Sequence, residues 1–319
     1  MKKIKINLKR ITAFVLTILI ATSMTACTKN KPKNSSSNAT SSREMQSSNP
    51  QDMEPPVSSE LISSELTSTI EDTPVVAQPI EGQEIDLNAI SEYENVLIKW
   101  GHGTIRDKEN RPTACIELQK KYSEYGGLFI MPNDEKKMYL TFDEGYENGY
   151  TSKILDALKE KNCPAVFFVT LPYVKANPKL VQRMIDEGHV VGNHSVNHKS
   201  MPTLKPVEAM NEITGLHNYM VENFNYQMTL FRPPEGAYSV QTLALAKELG
   251  YQTVLWSYAY LDYDTKNQMG VEKAFPRVTG AAHNGAVYLL HAVSKDNADM
   301  MGDLVDNFRE NGYSLELLK

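Results

Sequence analysis

The run Met138-Tyr139-Leu140-Thr141-Phe142-Asp143-Glu144-Gly145-Tyr146 decides the reading of the chain. Five residues of strand character lead into two adjacent carboxylates and a glycine that can turn the backbone. Short β-like runs recur downstream at residues 165–170, 189–192, 229–232, 253–257, 286–291 and 313–317, which with 138–142 make seven. Helix patterns fill the intervals. Ile154, Leu155 and Leu158 form one apolar stripe, Asn177-Pro178 reads as a cap followed by proline at the first helical position, and Gly188 and Gly250 read as helix stops. Strand and helix in alternation is the pattern of βαβ units around a parallel sheet. The expected fold is α/β: a small, distorted (β/α)7-type barrel over residues 138–319, with an N-terminal extension over 93–137.

Ahead of this body the composition changes. From Thr28 to Glu92 there is no Phe, Trp or Tyr, and Ser-Ser pairs recur among scattered prolines and charges. Such a segment buries too little apolar surface to offset its conformational entropy. Residues 27–92 are therefore expected to be a flexible, Ser/Pro-rich linker, a disordered stalk before a domain spanning 93–319. Residues 1–26 read as an export signal, with Lys2, Lys3, Lys5, Lys9 and Arg10 ahead of an apolar run at 11–21 that is too short to span a bilayer comfortably. Met24-Thr25-Ala26-Cys27 resembles the lipobox of bacterial lipoproteins, in which Cys27 would carry the lipid. Met24 stands where leucine is usual, and ordinary secretory cleavage is the alternative. The expected location is the outer face of the cytoplasmic membrane, reached by export and held by a lipid anchor.

Cys115 and Cys163 are too few for a disulfide framework and read as packed or free thiols. A formal charge of −6 and a pI near 5.7 leave no basic footprint, so nucleic acid is not an expected partner. A monomer is expected.

Chemistry-bearing residues fall where strands end, the place where β/α barrels carry their reactive groups. Asp143 and Glu144 follow the first strand. After the third comes Gly192-Asn193-His194-Ser195-Val196-Asn197-His198, whose two imidazoles at i and i+4 can share one metal if that stretch is helical. After the fourth comes Arg232-Pro233-Pro234-Glu235-Gly236, a rigid turn carrying a guanidinium, and the sixth ends in Leu289-Leu290-His291. Adjacent acids or paired histidines are ordinary taken singly, but four polar clusters at four strand ends point to a site. His102, His189, His217 and His283 lack matching partners and read as packing or surface. Val207, Met210, Ile213 and Met220 read as a helical core stripe.

With these motifs in this order, the chain from Trp100 to Lys319 resembles the polysaccharide deacetylases of carbohydrate esterase family four, the NodB-homology domain. Tyr146-Glu147-Asn148-Gly149-Tyr150-Thr151 and His291-Ala292-Val293-Ser294-Lys295-Asp296-Asn297-Ala298 are similar to the subgroup that deacetylates muramic acid on the way to the delta-lactam of spore cortex. The resemblance implies that Asp143 is the catalytic base, His194 and His198 are metal ligands, and Arg232 holds the base. It implies that His291 is the general acid and that Asp262 tunes it. Leu289 would wall the acetyl pocket, the backbone N–H of Glu235 would face the oxyanion, Tyr263 would stand where many members carry Trp, and Trp256 would edge the groove.

The same resemblance implies a divalent metal cation, zinc first, with manganese, cobalt or magnesium as alternatives. Most relatives carry Asp as third ligand where this chain has Glu144. A carboxylate on a stem one methylene longer changes the geometry, and the alternative is that the two histidines and water hold the ion. The chemistry accounts for the residue types: amide hydrolysis needs an activated water, a sink for charge on the carbonyl oxygen and a proton for the leaving amine. The implied activity is removal of N-acetyl groups from amino sugars of a peptidoglycan glycan strand, with muramic acid as target. The rival readings are a deacetylase of N-acetylglucosamine or chitin oligomers, and a glycan-binding lipoprotein with impaired turnover.

Overall fold

The computed structural model describes Ile80, residues 84–132 and residues 135–318. The signal segment, Cys27 and most of the 27–92 linker lie outside the described residues. Within them, β3 (Lys137–Glu144) is the longest strand, and its faces alternate as a pleated strand requires. Met138, Leu140 and Phe142 pack outward with Ile154, Leu155 and Leu158 of helix α3 (Thr151–Glu160). Tyr139 points inward with Val166, Phe168, Leu230, Val254 and Val287. A parallel sheet covered on both faces explains why these runs are apolar without strict alternation.

The remaining strands of the sheet are β2 (Gly127–Leu128), β4 (Val166–Val169), β5 (Val190–Asn193), β6 (Leu230–Phe231), β8 (Gln252–Val254), β9 (Tyr258–Ala259), β10 (Ala286–His291) and β11 (Ser314–Leu315). Their order is β2-β8-β6-β5-β4-β3-β10-β9, with β11 beside the start of β3, and every ladder is parallel. One side of β3 takes β10; the other takes β11 at Lys137 and Met138 and then β4 from Thr141 onward. The segment carrying β8 and β9 closes the ring by covalent continuity, since β8 pairs with β6 while β9 pairs with β10. The result is the distorted, curled (β/α)7-type barrel expected from the sequence. Several strands are shorter than their sequence runs, and β2 and β9 are additions.

Helices α4 (Leu171–Ala176), α5 (Pro178–Asp186), α6 (Pro206–Phe224), α7 (Val240–Glu248), α8 (Val271–Thr279) and α9 (Lys295–Glu310) connect the strands. Pro178 opens α5, and Gly188 and Gly250 adopt φ of 80° and 82° just past helix ends. Val207 departs from the expected core stripe: it lies exposed in the first turn of α6, while Ile213 and Met220 deeper in the helix are buried. Cys115 and Cys163 are buried free thiols.

The extension is more built than its sequence suggests. Helix α2 (Thr113–Tyr122) and β1 (Ile98–Lys99) pack a second apolar cluster, with Trp100, Tyr122 and Phe129 against Tyr238 and Trp256. β1 pairs antiparallel with β7 (Ala237–Tyr238), matching Lys99 to Ala237. Ordered structure also begins before Tyr93. Asp86 Oδ1 accepts from the backbone N–H groups of Asn88 and Ala89 and caps α1 (Leu87–Ser91), which buries Ile90 in the main core. A chain beginning at Tyr93 is expected to unfold cooperatively but to be less stable than one beginning at Glu84, by about 1.5–3 kcal/mol for the loss of one buried isoleucine. Equal denaturation midpoints for the two chains would show that α1 contributes nothing.

Candidate active site

Asp143, His194, His198 and His291 line a cavity of about 860 Å³ at the C-terminal mouth of the barrel, with Arg232 buried behind Asp143. Asp143 lies on the inward face of β3 in register with His291 of β10. Arg232 Nη1 donates to Asp143 Oδ1 at 2.8 Å, its Nε donates to the Val254 carbonyl at 3.0 Å, and its Nη2 to the Leu255 carbonyl at 3.3 Å. The guanidinium is fully buried, 4.2 Å above the Phe168 ring. A Cβ on Gly192 would come within 2.4 Å of that ring, so the bare backbone of β5 makes room for the Arg232 support. Burial raises the Asp143 pKa, but the charge and hydrogen bond of Arg232, together with the neighbouring His194 and His291, more than offset it and hold the carboxyl below the usual carboxylate range.

His194 is buried, and its Nδ1 donates to the Arg232 carbonyl at 2.8 Å. That acceptor-only partner assigns the tautomer and leaves the Nε2 lone pair free, 3.6 Å from Asp143 Oδ2. Burial lowers the His194 pKa to about 4, so the ring is neutral at pH 7 and the cation that steadies Asp143 is Arg232. The His194 and His198 rings meet at 4.8 Å. The stretch joining them is not helical: Ser195 and His198 adopt φ of 72° and 53°. The loop is held instead by hydrogen bonds. Ser195 Oγ accepts the His198 N–H, Asn193 Oδ1 accepts the Ser195 N–H, and buried Glu212 receives both the N–H and the side-chain amide of Asn197.

On the other side of the cavity, His291 Nδ1 donates to Asp262 Oδ1 at 2.7 Å and the His291 N–H to Asp262 Oδ2 at 2.8 Å. Asn297 donates to Asp262 Oδ2 and to the His291 carbonyl, while Tyr260 O–H donates to Asn297 Oδ1. The free ring nitrogen of His291 is Nε2. Burial would lower the His291 pKa, but the charge and hydrogen bond of Asp262, helped by Asp143, raise it above its ordinary value. Leu289, Trp256, Tyr263 and Glu235 line the cavity as expected, with Tyr263 half exposed and its ring 5.5 Å from His291. Tyr146, Tyr260 and Val293 line it as well, although no spacing in the sequence singled them out.

Glu144 is the expectation that fails geometrically. β3 continues through it, so it faces the helix side, opposite Asp143, and it does not line the cavity. It is fully buried, and among the described residues neither carboxylate oxygen has a hydrogen-bond partner. Burial, reinforced by Glu147 and Asp143, pushes its pKa well above the ordinary value. The donor set therefore fits a divalent ion only in part. Two imidazoles converge and one has a free lone pair, but among the described residues no group of three His, Cys, Asp or Glu side chains is placed to hold an ion.

Known proteins are similar in sequence and fold. A family model described as polysaccharide deacetylase matches residues 131–254. The peptidoglycan-N-acetylmuramic acid deacetylase PdaA of Bacillus subtilis is 39% identical over 223 residues, 70% of this chain and 84% of that protein. Its solved structure superposes with a TM-score of 0.66, covering 69% of this chain and 94% of that one. A family 4 carbohydrate esterase from Bacillus anthracis gives a TM-score of 0.58 at 37% identity, covering 70% and 95%. A peptidoglycan-N-acetylglucosamine deacetylase of Bacillus cereus is 34% identical over 209 residues, 65% of this chain and 92% of that protein.

The placement of Glu144 has a measurable consequence. Its raised folded-state pKa means that its contribution to stability is complete below the unfolded carboxylate range and lost as pH rises through the folded value. Glu144→Gln is therefore expected to melt higher than the wild type by a margin that grows as pH rises above the ordinary carboxylate range, with divalent-ion affinity unchanged by calorimetry. His194→Ala is expected to lower that affinity about tenfold or more. A loss of ion affinity in Glu144→Gln matching that of His194→Ala would return Glu144 to the ligand set.

Proposed function

From its membership of the polysaccharide deacetylase family, as a hydrolase of carbon–nitrogen bonds other than peptide bonds, we propose that this chain removes the N-acetyl group of muramic acid residues in peptidoglycan. The carrying observation is the pair of braced side chains facing one cavity: Asp143 held by Arg232, and His291 held by Asp262. Their surroundings push them in opposite directions, Asp143 toward the charged carboxylate and His291 toward the protonated ring, as a base and an acid require. The muramic acid target rests on the likeness to PdaA. The relative that acts on N-acetylglucosamine supports the second reading, a deacetylase of that sugar.

Asp143 Oδ2, the oxygen that Arg232 does not engage, takes the proton of the attacking water. The water oxygen bonds to the acetyl carbon, the C–N bond breaks, and His291 Nε2 delivers a proton to the departing nitrogen. Acetate and a free amino sugar result. Leu289 and Trp256 offer apolar wall to the acetyl methyl, Tyr263 offers a ring edge to the sugar, and the Glu235 N–H gives the carbonyl oxygen a donor. A divalent ion, with zinc suited to imidazole donors, would be held by His194 and His198, where it would polarise the acetyl carbonyl and acidify water. The reading also places the protein outside the cytoplasmic membrane, anchored through Cys27; Cys27→Ala is expected to move it from the membrane fraction to the soluble one.

Acetate release from purified peptidoglycan, with mass spectrometry of the digested glycan, tests reaction and sugar together. The kcat/KM profile is expected to be bell-shaped, with its basic limb above the ordinary histidine range because protonated His291 is the active form. Asp262→Asn removes the charge that raises His291 and is expected to shift that limb to lower pH. His291→Ala is expected to cost about 10²–10⁴-fold on acetamides and far less on activated acetyl esters, whose leaving groups need little protonation. A basic limb unmoved by Asp262→Asn would remove His291 as the acid.

A further inference from the structure

Asp143 and Glu235 are the acidic residues lining the cavity, and among the described residues no lysine or arginine lines it. Arg232 is spent below the floor on Asp143 and two carbonyls. A second cation reaches the rim from outside the barrel. β1 lies antiparallel against β7, and the Trp100 N–H donates to the Gly236 carbonyl at 3.0 Å, which aligns the extension with the turn that carries Glu235. Glu235 sits in that turn at φ 59°, a left-handed conformation rare outside glycine. Lys99 Nζ meets Glu235 Oε2 at 3.1 Å, yet the lysine side chain remains 68% exposed and the glutamate 47%.

We propose that Lys99 is a rim subsite for a carboxylate carried by the sugar whose acetamide enters the cavity. On the muramic acid reading, on which this rests, that group is the lactyl carboxylate. Muramic acid and glucosamine present the same acetamide, and the lactyl ether is what separates them. Discriminating them calls for a cation beside the catalytic centre but outside it. Lys99 has that position. An ammonium has three donors, so it can keep Glu235 and accept a second carboxylate, and an exposed ion pair is weak enough for that exchange. Without Lys99, the Glu235 carboxylate would repel an incoming anion.

The test compares kcat/KM for a peptide-free muramic acid oligosaccharide with that for its lactyl methyl ester, with N-acetylglucosamine oligomers as a third substrate. The wild type is expected to prefer the acid, and salt is expected to erode that preference. Lys99→Gln is expected to reduce the acid-to-ester ratio about tenfold, chiefly through KM, as for loss of one charge-assisted hydrogen bond, and Lys99→Arg to restore most of it. If Lys99→Gln, still folded by thermal unfolding, keeps the wild-type ratio, the subsite is overturned while acetate release by the wild type from the acid leaves the muramic acid reading standing. Release only from N-acetylglucosamine oligomers would overturn both.

Discussion

The ion pair between Arg232 and Asp143 is the constraint around which the mouth of the barrel is arranged. A guanidinium with no solvent exposure must have its donors satisfied within the protein, because an unpaired buried charge costs several kcal/mol. Here Nη1 has the carboxylate, Nε and Nη2 have the Val254 and Leu255 carbonyls, and the cation lies over Phe168. The backbone of the same residue is used twice more. Its N–H donates to the Asn193 carbonyl, and its own carbonyl accepts His194 Nδ1–H. One side chain and its peptide groups thus tie together the ends of β3, β5, β6 and β8, and set the charge of Asp143 and the tautomer of His194.

This arrangement explains which parts of the site were legible in the sequence. Parallel β/α folds gather reactive groups at strand ends, so Asp143, His194, Arg232 and His291 could be singled out from four short words far apart in the chain. The relation of Glu144 to the cavity depended on where the first strand stops. Read as ending at Phe142, the strand leaves both acids free in a turn; extended through Glu144, it sends neighbours to opposite faces. The histidine pair converges, but through left-handed residues and the Glu212 brace rather than a helical turn, and i to i+4 spacing cannot distinguish those routes. The extension was hardest to read. Its contact with the mouth is a two-residue ladder between β1 and β7, too short for periodicity and joining segments distant in sequence.

Strand order separates the work of acid and base even though the two residues are register partners on adjacent strands. Around the ring the order runs β6-β5-β4-β3-β10-β9. Asp143 on β3 is drawn by Arg232, which follows β6, so its tether lies on one side. His291 on β10 is drawn by Asp262, which follows β9, on the other side. Two groups on neighbouring strands are therefore each held from a different flank, by a partner of opposite charge in its working state. Swapping those partners would invert the chemistry: a carboxylate beside Asp143 would raise its pKa, and an arginine beside His291 would lower that of the acid. The parallel register brings the pair to one level, and the differing neighbours on either flank allow one to hold a proton while the other lacks it.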